Sequence, residues 1–261
     1  MKCGLTLICK VTQGIHRMSK LVLITGGSRG IGAGIAKAFA EAGYWVAITY
    51  LHNQDKAVSL ASILGYKVAA FALDQSEPES IKLCVTQIEK HFNRSIDVLI
   101  NNGAIAQEKP FSNITADDFT TMLNTNLRGP FLLSQACIPA MQQHGFGRII
   151  NIGSVGGQWG GFNQVHYAAA KAGLINLSQS IAKIYSRDGI RANTIAIGLV
   201  ATEMTEHELN TKAGKQKAAA IPVGRLGKVE DIASIALFLA SQDSDYLSGQ
   251  TLNANGGMYF G

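Results

Sequence analysis

The chain is poor in charge: only 16% of its 261 residues are Asp, Glu, Lys or Arg, while 47% are hydrophobic. That balance excludes a solvated rod and implies large buried faces. A chain of this length buries enough core to hold one domain without a disulfide or metal staple, and no metal site is expected. Four cysteines are present, and no two are spaced CxxC. They read as reduced thiols of a cytoplasmic protein, with Cys84 and Cys137 as core packing in expected helices. Basic runs of the kind that neutralise phosphates are missing, which argues against nucleic acid as a partner. The formal net charge of +5 draws three charges from Lys2, Lys10 and Arg17, and from Met18 onward the balance is +2. No stretch reaches the roughly 18 charge-free apolar residues that span a bilayer, so no membrane association is expected.

Residues 1–17, MKCGLTLICKVTQGIHR, differ from the rest. Their apolar core is too short for a span or a secretory signal. They are expected to be a disordered leader or a non-native start, with Met18-Ser19-Lys20 opening the domain.

From residue 18 to 261, short β-branched runs alternate with helical patterns. Strands are expected at 21–25, 45–50, 67–72, 97–101, 148–153, 191–197 and 250–253. Helices are expected at 31–42, 54–64, 77–92, 116–143, 164–188 and 229–240. The alternation predicts a single-domain α/β protein: a doubly wound Rossmann fold, with a seven-stranded parallel sheet and helices on both faces. Residues 197–225 fall outside the alternation and read as a mobile substrate flap.

The first strand runs into Thr25-Gly26-Gly27-Ser28-Arg29-Gly30-Ile31-Gly32. Glycines at a strand-to-helix turn let backbone amides approach a pyrophosphate, and the following helix N-terminus faces the anion. The second strand ends Tyr50-Leu51-His52 and reaches no acid until Asp55. An acid there would bond the ribose hydroxyls of NAD; its absence, with Arg29 in the glycine turn, favours NADP(H). Ser28 and His52 add hydrogen-bonding capacity. Asp74 either bonds the adenine amino group or caps the end of the third strand. Asn101, in Asn101-Asn102-Gly103-Ala104, either ties neighbouring strands and borders the nucleoside or makes a simple turn.

Ser154 follows the fifth strand, and Tyr167 and Lys171 share one face of the helix beyond it. Hydride delivery to a carbonyl leaves charge on oxygen, so a proton donor is needed. A phenol is a weak acid, with a pKa of ~10, and a nearby ammonium strengthens it. Ser154 supplies a hydrogen bond to the same oxygen. Asn126 is expected to disrupt its helix and to hold a water linking Lys171 to solvent. Trp159, Phe162, Val165 and Met204 either wall the substrate cleft or serve local packing.

In combination these motifs resemble the short-chain dehydrogenase/reductase family, and within it the 3-oxoacyl-[acyl-carrier-protein] reductase branch. The resemblance runs from about residue 20 to the end and takes in Ile221–Gly227 and Asn255–Tyr259. It implies Tyr167 as general acid, Lys171 as its activator and a contact to the nicotinamide ribose, Ser154 as orienter of the carbonyl, and Asn126 as holder of the relay water. Gly198, Val200 and Thr202 would hold the carboxamide, and Gly103 would lie beside the nucleotide. It further implies a substrate acyl group carried by CoA or an acyl carrier protein, a role in fatty-acid synthesis, and a homotetramer with the helices around 116–143 and 164–188 in one interface. Two alternatives stay open: a family reductase of polyketides, sugars or other small ketones, and a non-catalytic dinucleotide sensor.

Overall fold

The computed structural model describes residues 19–202 and 211–261. The leader 1–17 and Met204 therefore lie outside the described residues. Strand β1 (Leu21–Ile24) is followed by α1 (Gly30–Glu41), β2 (Trp45–Tyr50), α2 (Gln54–Leu64), β3 (Val68–Ala72), α3 (Pro78–Phe92) and β4 (Val98–Asn101). Next come α4 (Ala116–Leu123), a π-helical turn (Asn124–Arg128), α5 (Gly129–His144), β5 (Gly147–Ser154), the one-turn α6 (Gly156–Trp159) and α7 (Val165–Tyr185). Strand β6 (Ile190–Ile197), α8 (Lys212–Ala219), α9 (Val229–Ala240) and β7 (Thr251–Ala254) follow.

All seven strands pair in parallel, in the order β3-β2-β1-β4-β5-β6-β7. Strands β1 and β4 are buried at every residue, which is why they read as unbroken apolar runs rather than alternating ones. Ile35 and Phe39 of α1 join Ile232 and Leu239 of α9 in the core on one face of the sheet. Ile88 of α3, Leu133 of α5 and Ile181 of α7 belong to the core on the other. The strand order reverses between β1 and β4, and in such sheets the crevice at the carboxyl ends beside that reversal is the ligand site.

Two expectations need correction. The helix expected over 116–143 is interrupted by the π-turn and resumes at Gly129. Proline is the physical reason: Pro130 has no N–H to give the Asn126 carbonyl, so the α-helical ladder cannot pass through it unchanged. Helix α6 was not anticipated, being four residues long and half glycine. The stretch 197–225 includes regular structure. It contains α8, and at its base buried Val200 pairs with Gly227 in a parallel bridge. Among the described residues no helix is long and apolar enough to cross a membrane.

Candidate active site

The turn after β1 is built around glycines with left-handed backbone, Gly26 at φ 62° and Gly30 at φ 52°. Thr49 of β2 holds its start, taking the Gly26 N–H on Oγ1 (3.2 Å) and the Gly27 N–H on its carbonyl (3.1 Å). A Cβ on Gly32 would fall 2.4 Å from the Gly26 carbonyl oxygen, so the turn closes onto α1 only without a side chain there. Helix α1 then begins at Gly30 with no capping side chain and no acid in its first turn. Its leading N–H groups are left to an anion, and the cradle fits a dinucleotide pyrophosphate. Ser28 is half-buried, Arg29 is exposed, and Ile31 packs on the core.

The end of β4 braces this turn. Asn102 donates from Nδ2 to the Thr25 carbonyl (2.9 Å) and the Gly26 carbonyl (3.2 Å), and Thr25 Oγ1 accepts the N–H groups of Asn102 and Gly103. Gly103 is pressed by Gln75, which donates to the carbonyls of Gly103 (2.7 Å) and Thr125 (2.8 Å). Sequence reasoning named neither Asn102 nor Gln75 as a site residue. The doubled asparagine was the available signal, and nothing local marked Gln75.

Buried Asn101 faces Asn151 across the β4–β5 register and donates to its Oδ1 at 2.8 Å, while its own Oδ1 has no partner. Asp74 acts as a turn cap: its Oδ1 takes the N–H and the hydroxyl of Ser76. Tyr50 ends β2 and packs on the core, and His52 is exposed beyond it. On the opposite side of the crevice, the Gly198 N–H donates to the Ala254 carbonyl, Val200 is buried, and the Thr202 methyl lies 3.7 Å from where a Cβ on Gly30 would sit.

Ser154 is the last residue of β5. Its Oγ accepts the Gly156 N–H at 3.1 Å. Burial pushes the Tyr167 phenol above its usual pKa, with the Ser154 hydroxyl opposing. That direction is opposite to the depression expected from Lys171. The Lys171 ammonium turns away to donate to the Ile152 carbonyl at 2.7 Å and stands 5.6 Å from the centre of the Tyr167 ring. Lys171 is itself buried, which pulls its pKa down to about 8. Gly157 lets α6 pack on this turn, since a Cβ there would fall 2.7 Å from the Lys171 carbonyl carbon.

Asn126 is buried in the π-turn. Its side-chain amide bonds Ile105, donating to that residue's carbonyl (2.8 Å) and accepting its N–H (2.9 Å), and Nδ2 also donates to Met122 Sδ (3.0 Å).

The intended cleft walls divide. Trp159 is 51% exposed and meets Tyr259 edge-on at 5.9 Å, and Val165 is half-buried at the start of α7. Phe162 is fully exposed, in a turn where Gly160 and Asn163 have left-handed backbone. Beneath Lys171, Ser178 joins Asn151 to Thr194 through bonds of 2.8 Å each, pinning α7 to β5 and β6. Ser178 lies seven residues after Lys171 on the same face, a signal that the sequence did carry.

A family model described as enoyl-(acyl carrier protein) reductase matches residues 26–259. The acetoacetyl-CoA reductase of Shinella zoogloeoides is 38% identical over 243 residues, covering 93% of this chain and all of the relative. The 3-oxoacyl-[acyl-carrier-protein] reductase FabG of Haemophilus influenzae is 39% identical over 92% of this chain and 98% of its own. That of Escherichia coli is 38% identical over 92% and 97%. A glycine cradle at the strand reversal, half-buried Ser154 and Tyr167 with buried Lys171 at the end of β5, and these matches lead to one conclusion. The chain belongs to the short-chain dehydrogenase/reductase family, in its 3-oxoacyl-[acyl-carrier-protein] reductase-like branch, and is an oxidoreductase acting on a carbonyl or hydroxyl group.

Proposed function

We propose that this protein reduces the 3-oxo group of an acyl thioester, linked to CoA or to an acyl carrier protein, to the 3-hydroxy group with NADPH. The observation that carries the reading is Ser154 at the end of β5 beside Tyr167, with the Lys171 ammonium 5.6 Å from the centre of the Tyr167 ring. It is supported by the names of the relatives, which are thioester ketoreductases.

A bound nicotinamide supplies the hydride. Ser154 orients the carbonyl through its hydroxyl, and Tyr167 gives its phenolic proton to the oxygen as charge develops there. Lys171 then stabilises the phenolate and returns a proton to it, and its ammonium would contact the nicotinamide ribose. A water on the Asn126 carbonyl would replace the proton on Nζ. The amides of 26–32 would hold the pyrophosphate. Asp74, Asn101 and Gly103 would border the adenosine half, and the 198–202 segment would hold the carboxamide. Tyr50 and His52 would flank the ribose, where Arg29 with Ser28 would take the 2′-phosphate. The lack of an acid at the end of β2 supports that choice.

Steady-state kinetics with acetoacetyl-CoA tests cofactor and substrate together. Acetoacetyl-CoA should be turned over with NADPH well ahead of NADH, and crotonyl-CoA should not be reduced. Arg29→Ala should raise KM for NADPH about tenfold or more, as expected for a charged hydrogen bond, and leave NADH alone. Reduction of crotonyl-CoA in place of acetoacetyl-CoA would transfer the chemistry to the carbon–carbon double bond. Preference for simple ketones would remove the thioester, and preference for NADH would remove the phosphate site.

A homotetramer belongs to the same reading. A groove of about 450 Å³ runs between the π-turn, α5 and α7, lined by Leu123, Leu127, Phe131, Gly173 and Leu177. Phe131 is 45% exposed there. A second copy covering it would bury these apolar side chains. Phe131→Glu should lower the mass measured by light scattering; an unchanged assembly would move the interface elsewhere.

A further inference from the structure

A second group of polar side chains converges on the first turn of α7. The loop after β4, residues 102–110, is stitched to the segment that leads into that helix. Lys109 donates its N–H to the Asn163 carbonyl at 2.7 Å, and Gln164 donates from Nε2 to Glu108 Oε1 at 3.3 Å. His166 Nε2 lies 2.9 Å from Gln107 Oε1. Gln107 in turn donates from Nε2 to Asp118 Oδ1 at 3.2 Å. The other carboxylate oxygen of Asp118 takes Lys109 Nζ at 2.5 Å and the Thr115 N–H at 2.8 Å.

The direction of this chain follows from its ends. Lys109 and Thr115 hold the Asp118 carboxyl ionised, well below the usual range, so it can only accept. Gln107 must then turn its NH2 to Asp118 and its carbonyl to His166, which obliges the imidazole to donate from Nε2. The His166 side chain is completely buried, and its Nδ1 has no partner. The bond to Gln107 is thus the polar contact that fixes the ring. Losing it strands a buried N–H, which costs far more than losing a surface contact. The other end of the loop is fastened by the two bonds between Ile105 and Asn126. The loop is pinned between the π-turn and the helical turn that carries Tyr167.

We infer that His166 is a positioning residue: through Gln107 and Asp118 it clamps the 102–110 loop to the first turn of α7, holding that loop in register with the Tyr167 hydroxyl. The inference rests on the proposed reduction for its kinetic consequence, while the clamp itself is independent of substrate. It also explains a division of labour, since neither His166 nor Gln107 belongs to the cofactor cradle.

The test uses the full chain with His166→Phe, Gln107→Leu, the double variant and His166→Gln. The glutamine amide reaches about as far as the imidazole Nε2. With acetoacetyl-CoA, each of the first two should lose about tenfold in kcat, with KM for NADPH within about twofold of the parent. The double variant should be no worse than either single, as for two halves of one contact. His166→Gln should recover most of the rate. In hydrogen exchange, the Lys109 amide should exchange at least about tenfold faster in His166→Phe and Gln107→Leu, with β1 unchanged. Gln107 is exposed, so its variant carries the test if His166→Phe fails to fold. Unchanged exchange at Lys109, multiplicative losses in the double variant, or an equal rise in KM for NADPH would each overturn the clamp. A parent enzyme inert toward acetoacetyl-CoA, yet showing the exchange pattern, would sink the substrate reading and uphold the clamp.

Discussion

Tyr167→Phe should lower kcat by about 10²- to 10⁴-fold, the range that general acid catalysis supplies, with NADPH binding essentially unchanged. The substitution keeps the ring and removes one oxygen. The variant therefore takes away the proton donor without opening the core. Burial has a useful consequence here. A phenol held above its usual pKa stays protonated throughout the neutral range, which is the form a reduction requires. Stopped-flow reduction of acetoacetyl-CoA, with cofactor binding followed separately by fluorescence, checks both halves. Turnover near that of the parent would remove Tyr167 from the chemistry.

Lys171→Met should have two large effects of opposite sign. Activity should fall by orders of magnitude, because nothing would then stabilise the phenolate or return its proton. Stability at neutral pH should rise. Lys171 has a pKa of about 8 in the folded chain against an ordinary 10.5, so between those values the unfolded chain holds more protons. Its contribution to stability therefore increases as pH climbs through that window, and below about 8 the buried charge exacts its full cost. By the usual conversion of pKa to free energy the cost is on the order of 3 kcal/mol. The bond to the Ile152 carbonyl returns about 1.5–3 kcal/mol of it, as charged hydrogen bonds do. The methionine variant should therefore gain on the order of 1 kcal/mol at pH 7 and lose most of that advantage near pH 9.5. Above about 10 the raised phenol of Tyr167 works the other way, since the unfolded chain then releases its proton first. Urea unfolding at the two pH values reads the difference. A variant less stable than the parent at pH 7 would show that the ammonium is not a burden on the fold. In the parent, kcat/KM for reduction should fall on the alkaline side from about pH 8, and that limb should vanish in the variant.

The strands, most of the helices and the glycine turn could be read from residue patterns because each is decided locally. Buried parallel strands need unbroken apolar runs, and the turn before α1 needs residues without a side chain. Ser154, Tyr167 and Lys171 were legible for the same reason, since a strand end and a four-residue helical spacing set their approach. The break at Asn124–Arg128 was half legible: Asn126 suggested a disruption, but its π-helical form followed from Pro130 and from packing.

Residues far apart in the chain decided the remainder. Asn102 reaches Thr25 across 77 positions, Gln75 reaches Thr125 across 50, and His166 meets Gln107 across 59. No local pattern announces such partners, because a side chain's hydrogen bond depends on which strand lies beside it. The same holds for the state of the reacting groups. Four residues of spacing put Tyr167 near Lys171, but burial decided that the phenol is held up and the ammonium pulled down, and the Ile152 carbonyl decided where the ammonium points. Residue order brought the candidate reacting groups within reach of one another. The packed fold settled the protonation and positioning of its groups, because desolvation and long-range hydrogen bonds exist only once the chain has closed on itself.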